Sequence, residues 1–285
     1  MKLGVSSYSL LGAMKSGEMD ILGVVDWVAD QGGEHIEIVP LGFELTGNGE
    51  LTDAIREKAA ARGIDISNYA ISANFVTETE EAYEAEIVRV MAEVDTAARL
   101  GVKRMRHDAA SCSDISIGNF NRMLDRIAAA CARIADHAAQ YGIVTSVENH
   151  GYFVQNSDRV QLLVNRVNRD NFRTTLDIGN FMCADEDSIA AVKNNISIAS
   201  MVHVKDFYLR PASQHPGEGW FRTASGNYLR GAITGHGDIN IPEVLRVIKN
   251  SGYDGYLSLE FEGLEECRRA TKIGLDNIRK YWAEA

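Results

Sequence analysis

The sequence predicts an α/β fold, a single (β/α)8 TIM barrel over residues 1–285. Short apolar runs typical of buried strands alternate with longer segments of helical periodicity, and eight such pairs can be counted. The helical segments repeatedly end in a glycine that precedes the next strand. No Gly-x-Gly-x-x-Gly motif follows the first strand, which disfavours a doubly wound open sheet, the alternative architecture. Barrels of this length are commonly one domain.

The junction between helix and strand has the same form five times along the chain. Glycine is expected there because a helix C-terminus often passes through a left-handed residue. The first four glycines are 31, 38 and 41 residues apart, which is the length of one helix, one strand and two loops. The five glycines are Gly32, Gly63, Gly101, Gly142 and Gly252.

The strands are predicted from short runs of β-branched or apolar residues bounded by turn residues. The first covers Leu3 to Tyr8, and the eight are expected to begin near residues 2, 34, 65, 102, 143, 172, 199 and 256. Helices are predicted between them from apolar residues that share one face, as over residues 21–30, and from the high helix propensity of the alanine-rich residues 80–100. Further helices are predicted over residues 119–140, from near Pro242, and over about 265–282.

One connection is longer than the others. More than thirty residues separate Asp206 from Ile239, and they include several prolines and glycines. A long loop without secondary structure is usually functional or disordered. Because it follows the seventh strand, we predict that a loop at about 207–239 covers the active-site mouth and closes over the substrate.

Four of the predicted strands end on a residue that can bind a metal. In order these residues are Glu148, Asp177, His203 and Glu260. The active sites of such barrels lie at the C-terminal ends of the strands, and consecutive strands are neighbours, so these side chains should converge. A single strand-end glutamate is more simply a salt bridge or a helix cap, but three buried carboxylates without a cation are strongly unfavourable. The set therefore predicts a site for a hard divalent cation.

The segments around these four residues resemble the xylose isomerase-like sugar isomerase/epimerase barrels, and the resemblance extends over the whole chain, including the Gly235–Ile239 turn. They are Ser146–His150, Thr175–Asn180, His203–Asp206 and Leu257–Glu260. The resemblance implies one divalent metal, with Mn²⁺ as first choice and Mg²⁺, Co²⁺ or Zn²⁺ as alternatives, held by the four residues. In the ketose 3-epimerase branch the two glutamates also act as acid and base.

The reaction implied is isomerisation or epimerisation of a small ketose or related keto-polyol through a metal-bound enediolate. Many epimerases of the family carry His three residues after the aspartate ligand, whereas this chain has Asn180, which disfavours a ketose 3-epimerase specifically. It also disfavours the related endonuclease IV repair enzymes, whose three-zinc cluster needs extra histidines.

Two other functions remain open. The same parts could serve a lyase, such as an inosose-type dehydratase or a C-glycoside-cleaving enzyme, with His150 as acid or base. A non-catalytic sugar-binding barrel is the third possibility, and the intact set of four ligands argues against it.

Eight further residues near the strand ends are predicted to contact the substrate, and several have a plain structural alternative. Glu37 could form an ion pair, His107 could be packed in the core, Asp206 could orient a neighbour, Arg210 could hold the loop, and Trp220 could be a dimer contact. The eight residues are His150, Asn180, Lys205, Asp206, Arg210, Glu37, His107 and Trp220.

The composition limits the partners. A net charge of -11 does not suit nucleic acid or an anionic membrane face, and no run approaches the roughly 18 apolar residues of a transmembrane helix. The four cysteines are widely spaced, as expected for reduced cysteines in a cytoplasmic protein without a signal peptide. No Gly-rich phosphate cradle is evident, so a phosphorylated sugar is disfavoured. The family resemblance implies a homo-oligomer, a dimer or tetramer.

Overall fold

A computed structural model describes residues 1–285 and confirms the barrel. Eight parallel strands close on themselves in chain order, and the last strand pairs with the first. The barrel strands are β1 (Lys2–Ser6), β2 (His35–Ile38), β3 (Asp65–Ile71), β4 (Arg104–His107), β5 (Val144–Glu148), β6 (Phe172–Asp177), β7 (Ala199–Val204) and β11 (Tyr256–Leu259).

Helices follow the strands and pack around the outside of the barrel. They are α1 (Leu11–Lys15), α2 (Ile21–Asp30), α3 (Gly49–Arg62), α4 (Glu80–Leu100), α5 (Ile117–Ala139), α6 (Ser157–Val167), α7 (Ser188–Asn195), α8 (Ile241–Asn250) and α9 (Cys267–Glu284). Short 3-10 turns cover Ser7–Leu10, Asn180–Ala184 and Ile196–Ile198. The first strand was predicted to reach Tyr8, but it ends at Ser6, and Tyr8 lies in the first of these turns.

The helix C-termini contain left-handed glycines, as the sequence suggested. All five junction glycines adopt positive φ, between 64° and 85°, where a side chain would be strained. At the N-termini, side chains satisfy free backbone N–H groups: Asp20 accepts from Gly23 N at 2.7 Å and Thr79 accepts from Ala82 N at 3.1 Å. Local sequence therefore sets where these helices begin and end.

The alternation of side chains along the strands separates an apolar layer from a polar interior. Residues such as Val147, Leu176 and Val202 are buried in the main hydrophobic core. The register places Asp177 beside His203 on the adjacent strand. This pairing of adjacent strands places the predicted ligands inside the barrel, at one end of it.

Residues 207–239 are not the irregular loop that the sequence suggested. They contain most of a small antiparallel sheet, in the order β8-β10-β9, formed by β8 (Asp206–Arg210), β9 (Phe221–Arg222) and β10 (Tyr228–Ala232). Phe207 and Leu229 form a small separate core with Cys183. These strands are short, and the connections between them contain the prolines and several of the glycines, which is why no strand pattern was recognised.

None of the nine helices is both long enough and apolar enough to cross a lipid bilayer.

Candidate metal centre and substrate cavity

Glu148, Asp177, His203 and Glu260 meet at the C-terminal end of the barrel. One potential ligand atom from each lies within 4.8 Å of all the others, and all four residues are buried. Glu260 lies one residue beyond β11, and the other three lie in their strands. Three carboxylates and one imidazole are a donor set suited to Mn²⁺, Mg²⁺, Co²⁺ or Zn²⁺.

The ring of His203 is oriented toward the carboxylates. Its Nε2 lies 2.8 Å from Glu37 Oε2, so it can donate a hydrogen bond there. Its Nδ1 has no hydrogen-bond partner and lies 3.5 Å from Glu260, 3.7 Å from Glu148 and 3.9 Å from Asp177. A carboxylate on one nitrogen and an open lone pair on the other is the arrangement that a metal-binding histidine needs.

Asp177 likewise has one side-chain atom fixed by hydrogen bonds and a second one without any. Its Oδ1 accepts from the backbone N–H groups of Gly179 and Asn180 at 2.7 and 2.8 Å. Its buried Oδ2 has no hydrogen-bond partner. Burial raises the pKa of Asp177 to about 6, although the charge of Lys205 opposes this effect. Two buried atoms without a hydrogen bond, Asp177 Oδ2 and His203 Nδ1, therefore lie in one cluster, and a divalent cation fits it.

The two glutamates are fixed by cationic neighbours. Arg106 Nε lies 2.7 Å from Glu148 Oε2, and Asn180 Nδ2 donates to Glu148 Oε1 at 2.8 Å. Burial would raise the pKa of Glu148, but Arg106 and His203 outweigh it and lower this pKa to about 2. Lys205 Nζ lies 2.8 Å from Glu260 Oε2. Burial likewise opposes ionisation of Glu260, but Lys205 and His203 hold its pKa well below the ordinary value.

Lys205 neutralises part of the negative charge. Its ammonium lies 3.2 Å from Asp177 Oδ2 and 3.3 Å from Glu262 Oε2, in addition to its contact with Glu260. Burial would lower the pKa of Lys205, but these carboxylates raise it well above the ordinary value. The ligand set therefore has two permanent cations beside it, Arg106 and Lys205.

A cavity of about 650 Å³ opens above the cluster. Glu148, His203 and Glu260 line its floor. The residues predicted to bind substrate that also line it are His150 and Lys205. No residue of the 207–239 segment is among its lining residues, so the covering role of that segment stays a prediction.

His150 is paired with Asp108 at the cavity wall. Its Nδ1 lies 3.1 Å from Asp108 Oδ1, and Arg106 Nη2 lies 2.9 Å from the same oxygen. Burial lowers the pKa of His150, but the hydrogen bond and charge of Asp108 outweigh it, so this pKa lies above the ordinary value. His150 can therefore carry a proton at the cavity surface.

Glu37 and Asn180 do not line the cavity, in contrast to the substrate contacts that the sequence suggested. Glu37 is fully buried behind His203, where it also accepts from Asn68 Nδ2 at 2.7 Å. Asn180 donates to Glu148 and lies 3.3 Å from Lys205 Nζ. Both orient metal-site residues rather than face the open space.

His107 and Asp206 have structural surroundings. The buried ring of His107 lies 2.8 Å from the Asp108 carbonyl and packs edge-on against Phe75. Asp206 accepts four backbone N–H groups, including those of Gly235 and Gly237 at 2.8 Å each. A Cβ on Gly237 would lie 2.2 Å from the Asp206 carboxylate, so this turn requires glycine. Neither residue lines the cavity, and substrate contact stays a prediction for both.

Arg210 ends β8 of the small sheet and Trp220 directly precedes β9, and neither residue lines the cavity. The Arg210 guanidinium is 5.6 Å from the Trp220 ring centre and 3.5 Å from Asp238. A second cation, Arg230, lies 5.3 Å from the same ring. These contacts stabilise the sheet and its connection, and substrate contact by Arg210 and Trp220 stays a prediction.

The sequence-based prediction missed several cavity residues, among them Tyr8, Arg106, Asp108 and Glu262. Arg106 carried a usable signal, because an arginine inside a buried strand needs a carboxylate partner. The segment between β2 and α3 also lines the cavity, and nothing in its residues indicated this.

Comparison with known proteins agrees with this architecture. The family model described as "Xylose isomerase-like TIM barrel" matches residues 25–281. A human protein described as "Putative hydroxypyruvate isomerase" is 23% identical over 140 residues, which cover 49% of this chain and 42% of the human protein. The match thus spans less than half of that relative.

Two solved structures extend over the whole fold. D-Psicose 3-epimerase from Clostridium cellulolyticum H10, solved with D-tagatose, has a TM-score of 0.74 and 16% identity, and the match covers 99% of both chains. The "probable 3-DHS dehydratase" of petrobactin synthesis from Bacillus anthracis has a TM-score of 0.75 and 15% identity, over 98% of this chain and 99% of the other. At these identities the likeness establishes the fold alone.

Proposed function

The chain belongs to the xylose isomerase-like TIM-barrel family, and we propose that it is a divalent-metal-dependent isomerase or epimerase of a small ketose or related keto-polyol. The observation that carries this proposal is the buried set of four donors beneath an open cavity, in which Asp177 Oδ2 and His203 Nδ1 have no hydrogen bond. We expect Mn²⁺ as the metal and a homo-oligomer as the assembly. The four free cysteines support a cytoplasmic location.

When bound, a divalent cation stabilises negative charge on the substrate's carbonyl and adjacent hydroxyl oxygens. Asp177 and His203 would hold it, together with the two glutamates. Glu148 and Glu260 both line the cavity, and their low pKa values keep them ionised at neutral pH. Either can therefore accept a proton from a carbon beside the carbonyl.

The fate of that proton distinguishes two reactions. In an epimerisation, one glutamate removes the proton from one face of the carbon, and the other, once it has taken up a proton from water, returns that proton to the opposite face. In an aldose–ketose isomerisation, one glutamate carries the proton between neighbouring carbons. Arg106 and Asn180 fix Glu148, and Lys205 fixes Glu260, so neither carboxylate has to reorganise during transfer.

A lyase is the second candidate, favoured by the His150–Asp108 pair at the cavity wall. A protonated His150 could donate its proton to a departing hydroxyl after a glutamate has removed the proton from carbon. The products then differ, because water is lost from the substrate.

The test is incubation of the metal-loaded protein with a panel of free ketohexoses in deuterated water, followed by NMR. We expect deuterium at C1 or C3 of the recovered sugar. Glu260→Gln should slow this exchange by about 10²–10⁴-fold, the usual contribution of a positioned acid or base. Glu243→Gln, a like change at the start of α8, should leave the rate unchanged.

Loss of water without exchange into recovered sugar would favour the lyase. A protein that binds the metal but catalyses neither exchange nor elimination with any sugar of the panel would count against an enzymatic role. Full activity of Glu260→Gln would refute the role of Glu260.

A further inference from the structure

The cavity above the metal donors is larger than one molecule of a free hexose. Such a sugar fills roughly 200 Å³, if each of its six carbon units takes the volume of a water molecule. The cavity measures about 650 Å³. Most of its volume would therefore remain empty around a single hexose.

The cavity extends from the metal donors to the opposite side of the barrel. In the closed order of the strands, β7 with His203 lies opposite β3, and β6 with Asp177 lies opposite β2. The lining on that far side comes from segment 39–46 after β2, from residues of β3, and from Arg89 and Glu93 of α4. A monosaccharide held at the donors therefore leaves the far side of the cavity unfilled.

The far side of the cavity combines apolar and charged groups. Leu41 is 40% exposed and Phe43 is half-buried, so both present apolar surface there. Glu44, Arg89 and Glu93 line the same side. A sugar ring matches this mixture, because its C–H faces are apolar and its hydroxyl groups donate and accept hydrogen bonds. We call Leu41, Phe43, Glu44, Arg89 and Glu93 the outer subsite.

The carboxylates of the outer subsite have free hydrogen-bonding capacity. The exposed Glu44 side chain takes part in no ion pair of the chain. Glu93 accepts from Thr46 at 2.6 Å and from Tyr69 at 2.7 Å, in both cases through Oε2. Its Oε1 lies 3.7 Å from Arg89 Nη1, beyond hydrogen-bonding distance. Both carboxylates can therefore accept from hydroxyl groups of a ligand, and such charge-assisted bonds are stronger than neutral ones.

Contacts within the protein fix the outer subsite before a ligand arrives. Thr46 connects the segment after β2 to Glu93 of α4. Arg89 Nη2 donates to the Ser72 carbonyl at 2.7 Å, at the end of β3. A surface that is already formed lowers the cost of binding.

We propose that the natural substrate is a disaccharide whose reducing-end unit is the reacting ketose, and that the outer subsite binds the second sugar. The inference rests on the proposed function in one respect, namely that the ketose unit occupies the metal end of the cavity. With the link at O4 or O6 of the ketose, C1, C2 and C3 stay free for the metal and for Glu148 and Glu260. Phe43 would pack against a C–H face of the second sugar, and Glu44 and Glu93 would accept from its hydroxyl groups.

The experiment measures equilibrium binding to the metal-loaded protein by calorimetry and requires no turnover. Maltulose and lactulose carry the second sugar on O4 of fructose, isomaltulose carries it on O6, and each is compared with D-fructose. We expect at least one of them to bind about tenfold or more tightly than D-fructose, because the second sugar adds hydrogen bonds to carboxylates and buries an apolar face. Glu44→Ala should reduce this ratio at least about threefold, and Phe43→Ala should do the same.

Glu57→Ala is the matched control and should keep the ratio, since Glu57 is an exposed glutamate of α3 outside the cavity. Phe43 packs partly against the core, so Phe43→Ala could lower stability, and the exposed Glu44 then decides the test. Affinity for all three disaccharides no higher than for D-fructose, or a preference that Glu44→Ala leaves unchanged, would overturn the proposal.

The two proposals can fail separately. Glu260→Gln should slow deuterium exchange and still prefer the disaccharide. A preference that depends on Glu44, in a protein without exchange activity, would leave the outer subsite established and remove the isomerase function. Exchange with D-fructose and equal affinity for all four sugars would leave the isomerase and remove the second sugar.

Discussion

Replacement of Glu37 should weaken metal binding although Glu37 is not a ligand. The carboxylate is fully buried, lies 2.8 Å from His203 Nε2 and accepts from Asn68 Nδ2 at 2.7 Å. These contacts keep the proton on Nε2 and leave Nδ1 open toward the other ligands. Loss of such a partner typically costs 10- to 100-fold in metal affinity.

The two possible changes differ in what they leave behind. Glu37→Gln keeps one acceptor oxygen, which can serve His203 or Asn68 but not both, so we expect about a tenfold loss, or ~1.4 kcal/mol. Glu37→Ala leaves His203 Nε2 without a partner, and we expect about a 100-fold loss, or ~2.7 kcal/mol.

The assay is competition with a chromophoric chelator for Mn²⁺ or Zn²⁺ at one fixed pH. Burial would lower the pKa of His203, but Glu37, Glu260 and Glu148 raise it well above its ordinary value. Metal binding therefore releases a proton from His203, and the measured affinity depends on pH. Glu34→Gln is the control, since Glu34 precedes β2 and its side chain accepts from Leu3 N away from the cluster. Unchanged affinity in a folded Glu37→Ala protein would refute the proposed orientation of His203.

Two stability predictions follow from buried polar groups. Asp206→Ala removes the acceptor of four backbone N–H groups and should lower the free energy of unfolding by about 3 kcal/mol or more. Asp206→Asn should cause a smaller loss. Equal urea midpoints for the wild type and Asp206→Ala would contradict this role of Asp206. Burial lowers the pKa of His35 and of His107 to about 4. As the pH falls, these histidines are therefore protonated in the unfolded chain before they are protonated in the folded protein. The free energy of unfolding should decrease between about pH 6.5 and 4, by up to about 3 kcal/mol per histidine. Urea unfolding across this range measures the slope, and His107→Gln should reduce it; a flat profile would show that these histidines do not titrate as expected.

The barrel and the metal donors could be predicted because both depend on local pattern. The glycine junctions, the helical faces and the short apolar strands each lie within one segment of chain. Since parallel strands present their C-terminal ends at one rim, the strand-end positions of Glu148, Asp177, His203 and Glu260 were enough to bring these residues together.

The remaining features depend on contacts between distant segments. Arg106 was not recognised as a partner of Glu148 because nothing within β4 indicates which carboxylate faces it. Asp206 was predicted to bind substrate, and only the fold shows that the Gly235–Ile239 turn wraps around its carboxylate.

The central claim is that Glu148, Asp177, His203 and Glu260 hold one divalent cation. Calorimetric titration of the chelator-treated protein with Mn²⁺ tests it most directly, with Asp177→Asn and His203→Ala as comparison variants. We predict one ion per chain in the wild type and strongly weakened binding in both variants, each of which remains folded. No saturable binding by the wild type, or equally tight binding by both variants, would contradict the account.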